Sequence, residues 1–223
     1  MSDGLLLVGA SGLAREVLAA GITGVVGILD DDVELHDTEI GGVPVLGTVA
    51  LGVTRTEQLL VCIGPSAGRR NVVRRYASFG VDPERYATFV ARSARIGSTS
   101  EVGRGSILLD SVVVTADAAI GRHVVVMPNT TITHDDILED FTTLAAGVAL
   151  GGGVRIREGA YIGMNASVRQ GLTVGIGATV GMGAAVLTDV PEDQTWAGVP
   201  ARELVRAEDG TSDADSRETA VDD

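Results

Sequence analysis

Residues 114–138 read Val114-Thr115-Ala116-Asp117-Ala118-Ala119-Ile120-Gly121-Arg122-His123-Val124-Val125-Val126-Met127-Pro128-Asn129-Thr130-Thr131-Ile132-Thr133-His134-Asp135-Asp136-Ile137-Leu138, with an aliphatic side chain at every sixth position. Extended in both directions, the series runs from Ile96 to Val186 through sixteen consecutive aliphatic residues. Two positions before each, the residue is usually small, as at Ala94, Ser106, Ala118, Thr130, Ala160 and Ala178; glycine often follows, as at Gly97, Gly103, Gly121, Gly151, Gly163, Gly175 and Gly181. Period six matches neither 3.6 nor 3.5, which excludes an amphipathic helix or a coiled coil. It suits a parallel β-helix, in which each hexapeptide supplies a short strand and a corner and three make a triangular coil. The aliphatic residue should point inward, the small one should fit the corner, and glycine should take backbone angles that other residues resist. No insertion breaks the period, so the repeat has no long loop to close over a ligand. A binding site is then expected on a flat outer face or between subunits.

Composition agrees with such a core. Hydrophobic residues make up 45% of the 223 positions but aromatics only 3%, so Val, Ile, Leu and Ala must fill the interior. A net charge of −13 argues against nucleic acid as a partner. Part of that charge sits in 207–223, where seven carboxylates face Arg217 alone and little can be buried, so this stretch is expected to be a disordered acidic tail. Cys62, the single cysteine, excludes an intramolecular disulfide and reads as a buried strand residue. No apolar run approaches a membrane span and the N-terminus lacks a basic leader, so a cytoplasmic protein is expected.

Upstream of the repeat, Leu5–Val8 is an apolar run that ends in Gly9-Ala10-Ser11-Gly12, followed by a helical pattern and a second apolar run ending in Asp30-Asp31-Asp32. Strand, glycine turn, helix, strand and carboxylate form the skeleton of a nucleotide-binding unit, with the acid placed to meet a ribose. The third glycine of the dinucleotide fingerprint is missing, and a tight turn without a ligand is the competing reading. A third strand, Leu59–Ile63, runs into Gly64 and a basic helix; there Arg69 is placed to face a phosphate, and Arg70, Arg74 and Arg75 are read as solvated. The unit ends near residue 88, too short for a six-strand dinucleotide domain, which argues against NAD. The division expected is a small α/β, Rossmann-like, nucleotide-sugar-binding domain at 1–88 and an all-β helix domain at 89–206.

These features, with Thr133-His134-Asp135-Asp136 and the closing Ala197-Gly198-Val199-Pro200-Ala201-Arg202, resemble the bacterial sugar acyltransferases of the sialic-acid O-acetyltransferase type. That family includes N-acetyltransferases acting on nucleotide-linked 4-amino sugars. The resemblance implies a left-handed β-helix, a homotrimer, and acyl-CoA lying between neighbouring prisms. It places the catalytic histidine at His134 with Asp135 as its acidic neighbour, and the glycine whose N–H faces the thioester oxygen at Gly152. It places coenzyme A contacts at Met164 and Met182, and the nucleotide-sugar site at Ser11, Gly12, Leu13, Asp30, Asp31 and Gly64. The family commonly has a second histidine where this chain has Thr143, a side chain that can donate a hydrogen bond in the acyl-CoA site but carries no proton at neutral pH. The function implied is acetyl transfer from acetyl-CoA to an amine or hydroxyl of a sugar, without metal; the alternative is a silent sugar-nucleotide-binding scaffold.

The residues fit that chemistry. His134 lies two positions past Ile132, outside the inward ladder, and its ordinary pKa lies near working pH. Asp135 should favour the imidazolium and raise basicity. Asp136 either bonds turn amides or positions His134. His36 and His123 read as incidental. A metal-dependent carbonic anhydrase on this scaffold needs three histidines around one ion, and the three here are wrongly spaced.

Overall fold

The computed structural model describes residues 4–204, so the acidic tail assigned to 207–223 lies outside the described residues. The chain opens with β1 (Leu5–Val8), α1 (Gly12–Ala19), β2 (Val25–Leu29), β3 (Glu39–Ile40), β4 (Val43–Gly47), α2 (Leu51–Thr54), β5 (Gln58–Val61) and α3 (Ser66–Ser78). These strands form one sheet in the order β3-β4-β2-β1-β5, parallel except for the β3–β4 hairpin. β1 is buried on both faces, which explains why it reads as continuous rather than alternating apolar sequence. Gly9 follows it at φ +104, where an added Cβ would lie 2.8 Å from Ile63 and 3.0 Å from the Cys62 carbonyl. The β3–β4 hairpin was not expected; Gly41-Gly42 between Ile40 and Val43 is its sequence signal.

The repeat forms the β-helix its period predicts. Three sheets of two-residue strands make the prism. Face 1 contains Arg95–Ile96, Val113–Val114, Thr131–Ile132, Ala149–Leu150, Ser167–Val168 and Ala185–Val186. Face 2 contains Glu101–Val102, Ala119–Ile120, Ile137–Leu138, Arg155–Ile156 and Thr173–Val174. Face 3 runs from Phe89–Val90 through Ile107–Leu108, Val125–Val126, Thr143–Leu144, Tyr161–Ile162 and Thr179–Val180 to the C-terminal strands. Each strand pairs in parallel with its equivalent one coil on, as Val114 does with Ile132. From Leu108 to Val186 every ladder residue is buried, and Ile96 and Val102 pack against that core from the open end.

One expectation needs correction. The glycines that follow the ladder residues do not have positive φ. They are needed because the next coil passes so close: a Cβ on Gly163 would stand 2.7 Å from the Val180 carbonyl and the Met182 nitrogen. The left-handed residue is instead three positions before each ladder residue, unbroken at every sixth position from Gly105 to Gly183. Seven of these are non-glycine, namely Ser111, Asp117, His123, Asn129, Asp135, Phe141 and Asn165. Asp, Asn and Ser tolerate or suit this conformation, whereas Phe and His take it at a cost of roughly 1 kcal/mol or more.

The α/β unit packs its α1 side on face 3. Leu5, Leu7, Leu13, Ile28 and Leu60 share one core with Ile107, Leu109 and Val125, and this is why outward-pointing residues of face 3 are apolar. Stability of the solenoid is therefore stacking along its axis plus one lateral contact. Leu144 lies fully buried in mid-prism. Leu144→Ala is expected to cost about 2–5 kcal/mol in thermal or urea unfolding; Ala119→Ser, on the exposed outer side of face 2, should change it by less than about 0.5 kcal/mol. Equal midpoints for the two variants would contradict this packing.

Candidate active site

His134 and Asp135 occupy the edge between faces 1 and 2. Their side chains are each 66% exposed, and His134 Nδ1 lies 2.7 Å from Asp135 Oδ2. A carboxylate only accepts, so Nδ1 carries the proton and the ring is left with an unprotonated Nε2. The Asp135 hydrogen bond raises the imidazole above its ordinary value against desolvation, and the charges of Asp135, Asp136 and Asp117 add to it. Gly152 stands on the same edge one coil on, where Gly153 N–H donates to the His134 carbonyl at 2.9 Å. A Cβ at Gly152 would lie 2.4 Å from His134 Cε1 and Nε2, so only glycine leaves room for the ring.

Asp136 turns the other way and is buried. Its Oδ2 accepts from Thr133 N–H at 2.7 Å and its Oδ1 from Val154 N–H at 2.8 Å. Burial pushes its carboxyl up to about 6 in spite of these two bonds. Asp136 thus braces the corner on which His134 sits, and the turn-amide reading is the correct one.

A cavity of about 650 Å³ lies where the α/β unit meets the prism. Gly12, Leu13, Gly64 and Ser66 line it from one side, and Thr143, Tyr161 and Met164 from the other. A hollow of about 370 Å³ continues it past Glu16, Met127, Ala146 and Met164. Met164 and Met182 lie on the edge between faces 3 and 1, 46% and 76% exposed. His134 lies on a different edge, with all of face 1 between, and is not among the residues lining the cavity.

Arg69 is completely buried behind the cavity wall. Its Nε donates to the His123 carbonyl (2.7 Å), Nη1 to those of Ile63 (2.8 Å) and Gly64 (2.7 Å), and Nη2 to those of Phe141 (2.9 Å) and Thr142 (3.1 Å) and to Thr143 Oγ1 (2.9 Å). Burial draws it down to about 10, so it stays charged at neutral pH. Beside it, His123 is stacked on Phe141 with ring centroids 5.2 Å apart and meets Tyr86 edge-on at 4.6 Å. Burial lowers His123 to about 4. Arg70 covers the other side of Phe141 at 5.7 Å and pairs with Glu158 at 3.2 Å.

No family model matches the chain, and no curated protein matches it in sequence. Solved structures do. The acetyltransferase domain of PglB from Neisseria gonorrhoeae, in complex with acetyl coenzyme A, is 30% identical over 92% of this chain and 100% of its own, with a TM-score of 0.83. The chain belongs to the hexapeptide, left-handed β-helix family of sugar N-acyltransferases. A GDP-perosamine N-acetyltransferase variant from Caulobacter crescentus, in complex with CoA and GDP-perosamine, is 28% identical over 91% of this chain and 97% of its own (TM-score 0.82). WeeI from Acinetobacter baumannii is 28% identical over 90% and 99% (TM-score 0.80).

Against this family background, the residues singled out by sequence fall into three places. His134, Asp135 and Gly152 meet on one edge, Met164 and Met182 stand on another, and Gly12, Leu13, Gly64 and Thr143 join Met164 around the cavity. Ser11, Asp30 and Asp31 do not line it. Ser11 Oγ caps α1, accepting from Leu13 N–H at 3.1 Å and donating to the Cys62 carbonyl at 2.7 Å. Asp30 holds the glycine turn through Ala10 N–H at 2.6 Å, and Asp31 accepts from Val49 N–H at 2.9 Å while meeting Arg75 at 3.2 Å. Arg69 is a correction: every nitrogen is spent on protein oxygens, so it cannot face a phosphate. Arg70 is a second, being an ion-paired, ring-covering side chain rather than a solvated one. His123 is a third, since it is a buried part of the clasp. Glu16, Ser66 and Tyr161 on the cavity wall were missed, because their neighbourhood exists only once the two units pack.

Arg69→Met would leave several buried carbonyls without a donor. It is expected to lose roughly 3 kcal/mol in thermal or urea unfolding, whereas Arg74→Met, on the exposed side of α3, should change stability by less than about 0.5 kcal/mol. Arg69→Met as stable as Arg74→Met would refute the clasp.

Proposed function

We propose that this protein transfers an acetyl group from acetyl-CoA to an amine or hydroxyl of a nucleotide-linked sugar, with His134 as general base. The observation that carries this is the His134–Asp135 pair, which leaves an unprotonated Nε2 on an exposed edge beside Gly152. In support, similar structures hold acetyl coenzyme A, or CoA with GDP-perosamine.

In this reading the acceptor attacks the thioester carbonyl carbon directly, without an acyl-enzyme. Cys62 is no nucleophile: it is buried, and burial pushes its thiol far up. His134 Nε2 takes the proton as the new bond forms, and the thiolate leaves as the carbon–sulfur bond breaks. Asp135 holds the tautomer and stabilises the imidazolium. Gly152 N–H is assigned to the developing oxyanion, and Met164 and Met182 to coenzyme A. Thr143 takes the place of a second histidine on that side. The nucleotide sugar is assigned to Ser11, Gly12, Leu13, Asp30, Asp31 and Gly64, in a Rossmann-like domain at 1–88 that precedes a left-handed helix domain at 89–206. A homotrimer supports this reading physically, because one chain holds its base and its methionine edge on opposite sides of face 1 and a neighbour can supply the missing edge. The reaction is placed in the cytoplasm, where acyl-CoA and nucleotide sugars are both made; among the described residues no helix is long and apolar enough to cross a membrane.

Thiol release from acetyl-CoA with nucleotide-linked amino sugars tests the reading. His134→Ala is expected to lower kcat by about 10²–10⁴-fold, with little change in KM for acetyl-CoA; unchanged kcat would overturn it. The base works unprotonated, so kcat/KM should rise with pH through a pKa above the ordinary histidine value. Asp135→Asn removes the carboxylate that raises it, so the acidic limb should move to lower pH while kcat falls. A limb that stays in place would remove Asp135 from the mechanism.

A further inference from the structure

The cavity has an unbalanced charge. Among its described lining residues Glu16 alone carries a formal charge, and the adjoining hollow is lined by Glu16 again and by Asp110. No cation lines either space. The nearest guanidiniums are committed elsewhere: Arg69 to carbonyls behind the wall, Arg70 to Glu158 and the Phe141 ring. Arg15 is exposed on α1 and lines neither space. Around the carboxylate the walls are largely apolar, with Leu13, Val125, Met127 and Met164 among them. In such surroundings a charge acts more strongly than it does in water.

We propose that Glu16 selects the acceptor by its amine, drawing a cationic amino group into this cavity and turning phosphate away. This rests on the acetyltransferase reading above and narrows it to N-transfer. A protonated amine gains a charge-assisted bond to Glu16, a hydroxyl only a weaker neutral-donor one, and a phosphate meets a like charge with no cation to offset it. The hydroxyls of Ser66, Thr143 and Tyr161 are available to the sugar ring, and the apolar walls suit its less polar face. The nucleotide's phosphates therefore stay outside the cavity.

The chemistry balances. The bound ammonium sheds one proton to water and becomes a nucleophile. As the carbon–nitrogen bond forms, a second proton passes from nitrogen to the base. It then goes to the thiolate released when the carbon–sulfur bond breaks.

The test uses the full chain with acetyl-CoA and GDP-, UDP- and dTDP-linked 4-amino-4,6-dideoxyhexoses, each beside its 4-hydroxy counterpart, scored by thiol release. Glu16→Gln is expected to raise KM for the accepted amine about tenfold or more, with KM for acetyl-CoA and the unfolding midpoint unchanged, and to erase most of the preference for amine over hydroxyl. Glu16→Asp should restore part of it, which a merely structural role would not produce. Unchanged KM and preference in Glu16→Gln, or a wild-type preference for the hydroxyl, would overturn the role of Glu16 and leave acetyl transfer standing. No thiol release with any acceptor would overturn both.

Discussion

Each coil turns three corners, and from Gly105 to Gly183 every corner places one residue in the left-handed region. That steric constraint sets the edges of the prism at fixed intervals and decides what can stand on them. Where the residue is Gly, Asn or Asp the corner forms readily; at His123 and Phe141 it costs more, and the two rings stack on the same edge. Asp135 occupies such a position too, next to His134. The dyad therefore stands on a rigid corner, braced beneath by Asp136, rather than on a loop that has to be ordered before it can act.

The second dependence is a buried positive charge. Arg69 has no carboxylate partner; its charge is carried by backbone carbonyls drawn from both the α3 approach and the prism. An isolated buried guanidinium is tolerable only when its donors are satisfied, and satisfying them requires the α/β unit to sit on face 3 in one orientation. The cavity is a consequence of that seating: Gly64 and Thr143, which face each other across the junction, are both tied to Arg69.

Period six was legible because each inward aliphatic residue obeys the same geometry, so faces, coil length and the outward position of His134 could be read without a structure. The corner column was present in the sequence too, but spread over Gly, Asn, Asp, Ser, His and Phe, and the more visible glycines after the ladder took the credit for it. Their true requirement is close approach between coils, which no single-chain pattern distinguishes from a turn. Arg69 was misread for a similar reason: an arginine at a helix start after a glycine turn has the same sequence whether it meets a phosphate or a set of carbonyls. Glu16 left no signal at all, since an exposed acid on a short helix becomes notable only when an apolar wall forms beside it.

The account places the base on one edge of the prism and the acceptor cavity beside another, so that the site proposed is completed between chains. Mixed oligomers test this most directly. His134→Ala removes the base and Ala146→Trp obstructs the cavity, and each variant alone should be nearly inactive in thiol release. In equal mixtures assembled together, about a quarter of the sites should combine an intact base with an intact cavity from a neighbour, and activity should return to about that fraction of wild type. Mixtures as inactive as the separate variants would contradict a site shared between chains.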